Sequence, residues 1–453
     1  MASKWDVRKP FTVVLMVAFL LILFNYLWSQ SSGSKKVEVY IHVDLNVSRN
    51  VSIFDTCPLM MYDPLDEQLR RFHYPGHNPK AGCTPYVPIT VLENGTVRTT
   101  ERAKGYSCRA SKSVEPGSRA LVGEPPLVPD WDNNEKCREY LDEYSYVLEE
   151  YRKSGYKTLA ANDWDIGFPY YSNCTGFNRP EADHMWRQFE NRMRESWALL
   201  RSHRHHCGES HLDLLEYMEK FMNSYPGIPK VCYVWPVYLA HDTLKDLYHA
   251  DDQFLDFLKR NKKNLDNAFF FFMADHGPRG EGPFFLKSAK SFVFNKAMNH
   301  LDLRQILEVP LGRYEGNNPM LTVSVPKRYR NTPIHEQLKN KSRQLMTHFD
   351  LHATFMDILK VQPSSNFADT SHRSMQPLSK GSSLFREWRE TRNCRTLPIP
   401  SQYCLCQYNK TTIEDQATLK TVGSFLAEQL NIILQKAGLG EKCQKQSYYM
   451  VSA

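Results

Sequence analysis

Ala268-Phe269-Phe270-Phe271-Phe272-Met273-Ala274-Asp275-His276-Gly277 is the stretch on which the fold turns. An apolar run of this length, preceded by the turn-forming Leu265-Asp266-Asn267 and closed by Gly277, reads as a buried strand. Its exit sets a carboxylate beside an imidazole. Those two donors suit a divalent cation such as zinc, manganese or calcium, and open parallel α/β sheets bind ligands at the carboxyl ends of their strands. Taken alone, Asp275-His276-Gly277 also fits a plain turn with glycine at positive φ.

The preceding chain alternates in the way a parallel sheet requires. Leu141, Tyr144, Val147, Leu148 and Tyr151 recur at helical spacing over 139–154, and Gly155 then turns the chain into a strand over 155–160. A second helix is expected over 213–222, followed by a strand over 231–235 that leads to His241-Asp242. A third helix is expected over 252–261, ahead of the 268–273 strand. Helix and strand in alternation predict parallel α/β construction, with His241 and Asp275-His276 presented at one sheet edge. An amphipathic helix over 418–435 closes the chain, with Leu419, Val422, Phe425, Leu426, Leu430 and Leu434 on one side.

The amino terminus sets the compartment. Residues 11–28 are uncharged, mostly apolar and long enough to cross a bilayer, and Lys4, Arg8 and Lys9 precede them. That basic flank predicts a cytosolic tail over 1–10 and a single-pass type II signal anchor, with the remainder in the Golgi lumen or at the cell surface. Secretion after signal cleavage is the alternative. The sequons at Asn46, Asn50, Asn94, Asn173, Asn340 and Asn409 and all 11 cysteines follow the span, as a glycosylated, disulfide-bonded ectodomain requires. Eleven is odd, so at least one cysteine lacks a partner within the chain.

The 453 residues divide into a stalk (29–56), a disulfide-tied, strand-rich accessory module (57–137), an α/β domain (138–360) and a carboxy-terminal extension (361–453). A strand piece over 86–91 followed by Glu93-Asn94-Gly95-Thr96 suggests a turn between short strands. The net charge of +7 comes from 57 basic and 50 acidic residues without a long single-sign block, so nucleic-acid binding is not expected. His203-Arg204-His205-His206-Cys207 is dense in metal donors, but adjacent residues on a helix splay apart. Cys404-Leu405-Cys406 lacks the spacing of zinc ribbons and reads as disulfide-forming.

The ordered series of motifs resembles the sulfatase and alkaline-phosphatase superfamily. Gly155-Tyr156-Lys157-Thr158 with Asn162-Asp163-Trp164, the Ala274-Asp275-His276-Gly277 turn, and Phe349-Asp350-Leu351-His352-Ala353-Thr354 carry the likeness. More closely, Leu239-Ala240-His241-Asp242, Asp275-His276-Gly277-Pro278-Arg279 and Gly312-Arg313-Tyr314-Glu315 are similar to the animal family called domain of unknown function 229. The resemblance implies an alkaline-phosphatase-like α/β/α sandwich acting on phosphate or sulfate esters of glycans or lipids. It implies Asp275 and His276 as metal ligands, His241 as a further ligand or a substrate contact, and Arg279 and Glu315 as substrate contacts. The superfamily's early strand, with a metal-binding Asp and the nucleophile, belongs before Gly155. Residues 137–154 contain no such turn, so no nucleophile is found and the sandwich reads as incomplete. Residues 284–311 are an extra stretch relative to the family pattern. A metal-dependent hydrolase or transferase and a catalytically silent ectodomain that binds a glycan or protein partner are the two readings this leaves.

Overall fold

A computed structural model describes residues 56–83, 90–99, 138–164, 174–278 and 306–448, apart from positions 62, 64, 94, 95, 206, 242, 395, 398, 400–402, 408–413, 437 and 439. The expected membrane span, stalk residues 29–55 and Arg279 lie outside these residues. Among the described residues, no helix is long and apolar enough to cross a membrane.

In chain order, α1 (Glu67–Arg70) is followed by the hairpin β1 (Thr90–Glu93) and β2 (Thr96–Thr99), turned where the sequence suggests. Next come α2 (Val147–Lys153), β3 (Lys157–Asn162), β4 (His184–Met185), α3 (Arg187–Glu195), α4 (Trp197–His205) and α5 (Ser210–Asn223). β5 (Lys230–Trp235), α6 (Tyr238–His241), α7 (Lys245–Arg260), α8 (Lys262–Leu265) and β6 (Phe270–Met273) lead to the Asp-His-Gly turn. α9 (Pro310–Asn317), β7 (Leu321–Ser324), α10 (Pro333–Lys341), α11 (His348–Lys360) and α12 (Gln416–Lys436) complete the order.

A mixed α/β architecture results, with β3 at the centre of a parallel sheet ordered β4-β3-β5. β3 is buried on both faces because each face has its own helix. Leu159 and Ala161 pack with Cys232 and Val234 beneath Leu214 and Phe221 of α5, while Ala160 and Val231 meet Val147 and Leu148 of α2. Truncating the fully buried Leu214 to alanine would cost about 2–5 kcal/mol. Asp183 fixes the start of β3 by accepting from both Thr158 N and Thr158 Oγ1 at 2.9 Å. Beyond α2 lies α11, where Ala353 and Met356 pack on Val147 and Tyr151 Oη donates to Phe355 O at 2.9 Å.

The strand expected over 268–273 is shorter, Phe270–Met273, and differently paired. β6 runs antiparallel to β7, with Phe271 opposite Val323 and Met273 opposite Leu321, in a sheet separate from β3 and β5. Its side chains alternate. Phe271 meets Phe355 of α11 at 4.9 Å, whereas Phe272 meets Phe254 of α7 at 5.5 Å and is exposed together with Met273. An unbroken phenylalanine run hides this period of two and says nothing of strand direction.

Two helix boundaries also move. The helix expected over 139–154 begins only at Val147, because Asp142 accepts backbone N–H bonds from Asn178 and Arg179 and holds the preceding residues in a loop. The helix expected over 252–261 extends back to Lys245. α12 forms as expected, but none of its residues is fully buried, and Phe425, Leu430 and Ile433 are exposed.

Covalent ties run outward from the amino-terminal segment. Cys57 pairs with Cys406, Cys83 with Cys207, and Cys394 with Cys404. Cys174 is also disulfide-bonded, while Cys232 and Cys443 are free thiols.

Candidate functional site

The carboxyl end of β3 delivers Asp163 into a fully buried position. Its Oδ1 accepts the Tyr238 backbone N–H at 3.2 Å, and its Oδ2 has no hydrogen-bond partner among the described residues. Burial, followed by the charge of Glu190, pushes the Asp163 carboxyl up to about 7. Glu190, itself buried and raised for the same first reason, accepts from Arg194 Nε at 3.1 Å. The Arg194 guanidinium lies 5.4 Å from the Trp164 ring centre and 4.8 Å from that of Tyr238. A buried acid, a second acid and an aromatic-stacked cation therefore converge where a parallel sheet binds ligands. Asn162-Asp163-Trp164 belongs to one of the sequence motifs, but nothing in the sequence marks Asp163 as a buried acid.

His241, expected to follow a strand end directly, is the last residue of α6. It is exposed, with its ring 4.5 Å from Trp164. It thus joins the Asp163 cluster through Trp164, by way of a short helix after β5.

Asp275 and His276 follow β6 as the sequence suggests. His276 Nε2 lies 3.3 Å from Asp275 Oδ2, and His276 Nδ1 lies 2.6 Å from Gly277 O. Asp275 is exposed and His276 half-buried. Its negative charge reaches β5, where burial first, and then Asp275 and Glu181, hold the Tyr233 phenol protonated. β5 and β6 belong to separate sheets, so His241 and Asp275-His276 do not share the sheet edge that the sequence suggests.

The turn is locked onto α9. Gly277 N donates to Gly316 O at 3.2 Å, and a Cβ added at Gly277 would lie 1.8 Å from Glu315 O. Gly277 is thus selected by close backbone approach, since the positive-φ glycines lie elsewhere. Two motifs 35 residues apart, Asp275-His276-Gly277 and Gly312-Arg313-Tyr314-Glu315-Gly316, form one unit. Glu315 is half-buried; burial raises its carboxyl, with His73 opposing.

Other expectations resolve individually. Asn340 is exposed on α10, while the sequons at Asn46, Asn50, Asn94, Asn173 and Asn409 lie outside the described residues. His203 is engaged by Asp213 at 2.7 Å. Among the described residues, the grouping of three or more donors close enough to hold a metal is Cys394, Cys404 and Cys406, whose sulfurs lie within 4.8 Å of one another. Such a cluster could hold a metal once its bridges were reduced.

A sequence profile described as a protein of unknown function, DUF229, matches residues 117–452, well over half of the chain. The protein belongs to the DUF229 family. No curated protein and no solved structure matches it. Within this DUF229 chain the matched span contains Asp163, Asp275, His276, Glu315 and the 394–406 cysteines, whereas Cys57 and Cys83 precede it.

Proposed function

We propose that this DUF229 protein is a sulfatase- and phosphatase-like ectodomain, held in the Golgi lumen or at the cell surface by residues 11–28. Its fold descends from the alkaline-phosphatase-like sandwich, and it engages phosphate or sulfate esters of a glycan or lipid, with hydrolysis or group transfer as the ancestral activity. The supporting observation is the lock between Gly277 and the Glu315-Gly316 backbone, which holds a carboxylate, an imidazole and a half-buried acid at one end of β6. Helices on both faces of the parallel sheet agree with that ancestry.

Asp275 and His276 are donors that zinc or manganese would accept, but a catalytic zinc commonly keeps three protein ligands. Among the described residues no third one joins this pair, so a cation would be held weakly. The Asp275–His276 pairing favours a second reading, a catalytically silent ectodomain that binds a glycan or protein partner.

Calorimetric titration of the purified ectodomain with zinc, manganese and calcium, alongside turnover of aryl phosphates and aryl sulfates, tests the choice. Metal-dependent turnover that vanishes in His276→Ala selects the hydrolase. Cation binding without turnover selects the silent ectodomain, and absence of cation binding removes Asp275 and His276 from either account.

A further inference from the structure

Four half-cystines, Cys57, Cys394, Cys404 and Cys406, meet in one cluster. Cys57–Cys406 and Cys394–Cys404 are the two bridges, yet Cys394 Sγ and Cys406 Sγ, which belong to different bridges, are only 3.3 Å apart. Cys406 is buried among its neighbours, whereas Cys394 and Cys404 are partly exposed. Cys57 is partly exposed as well, so burial keeps an external thiol from Cys406 itself and leaves Cys404 among the sulfurs open to attack.

We propose that this cluster is a thiol-exchange site at which a dithiol reductant opens Cys394–Cys404, and Cys394 then takes Cys406 from Cys57. In the first stage a thiolate of the dithiol attacks Cys404 Sγ, and the Cys394–Cys404 bond breaks with Cys394 leaving as thiolate. The second sulfur of the dithiol closes on the first, and Cys404 departs as thiolate and takes up a proton. Two electrons have passed from the dithiol, now a disulfide, to the protein. In the second stage the Cys394 thiolate attacks Cys406 Sγ across a gap inside the near-attack range of about 3–3.5 Å. The Cys394–Cys406 bond forms, Cys57–Cys406 breaks, and Cys57 leaves as thiolate and is protonated. This stage is redox-neutral within the protein.

The freed residue matters because of what it ties. Cys57–Cys406 joins positions 349 apart, and beside it Gln407 N donates to Pro58 O at 2.7 Å. The Gln407 side chain in turn accepts from Tyr314 Oη, next to Glu315 on α9. Exchange thus removes the covalent tie between the start of the ectodomain and its carboxy-terminal segment, beside the helix that locks the Asp-His-Gly turn. A metal in the same cluster would need both bridges reduced, a four-electron change, whereas exchange needs two electrons.

The test uses the whole ectodomain, one equivalent of dithiothreitol, rapid alkylation and peptide mapping. The expected product carries label on Cys57 and Cys404 and yields a peptide linked through Cys394–Cys406. Label on Cys394 and Cys404 with Cys57–Cys406 intact overturns the proposal. A Cys404→Ser chain gives an independent reading without reductant. Its free thiol is expected at Cys57, and a free thiol at Cys394 overturns the assignment.

Discussion

Asp163 shows what a single residue adds beyond the sequence. Its folded-state carboxyl titrates near 7 against an ordinary 3.8, so between about pH 4 and 7 the folded chain holds a proton that the unfolded chain has released. Stability from this group is therefore greatest in acid and is lost as pH rises through that window. The full penalty is roughly 4 kcal/mol at most. Asp163→Asn keeps the shape and removes the titration. Thermal melts should show the variant gaining stability over the parent at pH 8 and matching it near pH 4, and a pH-independent difference would contradict this account. The sequence makes Asp275 and His276 visible because donors next to a glycine after an apolar run form a local pattern. Asp163 has no such local pattern, since its importance comes from Glu190 and Tyr238, 27 and 75 positions away.

At the scale of elements, β3 and β5 are legible as apolar runs and α5 by its helical spacing, whereas α11 is marked only by the family likeness of residues 349–354. α11 also carries a capping box, in which Thr347 N donates to Asp350 Oδ2 at 2.8 Å. β6 is visible as an apolar run, but its antiparallel partner β7 is not, since the four residues Leu-Thr-Val-Ser give too short a period to read. The role of Gly277 was equally hidden, because close approach to α9 leaves no local signature. This separates two glycine substitutions. Gly155 sits at φ 87° with nothing within 4 Å of an added Cβ, so Gly155→Ala costs only backbone strain, about 1 kcal/mol. Gly277→Ala must push the turn off Glu315 and should cost more, about 1–3 kcal/mol. Urea titrations of the two variants check the order, and cation binding should weaken only in Gly277→Ala. Equal losses in both would mean that the lock does not hold the turn.

At the scale of the molecule, the question is whether residues 56–83, which precede the family-matched span, are an appendage or part of the α/β body. Leu69 and Phe72 are buried with Ile306 and Leu311, alongside Leu244 and Tyr314. His77 reaches Asp246 of α7 at 2.9 Å, and Lys245 lies over the Tyr74 ring at 4.8 Å. The Cys83–Cys207 bridge spans 124 positions and by chain entropy alone contributes on the order of 5 kcal/mol. An appendage would not share a core with α9. Phe72→Ala should therefore lower the stability of the whole described body, by about 3–5 kcal/mol for a phenylalanine only 3% exposed. The discriminating measurement is urea unfolding followed both by circular dichroism of the helices and by tryptophan fluorescence, since Trp164, Trp186 and Trp235 all lie far from residue 72 in sequence. One coincident transition that shifts as a unit makes 56–83 integral to the fold. An early transition confined to part of the signal, with the tryptophan midpoint unmoved, would make it a separate module resting on the α/β body.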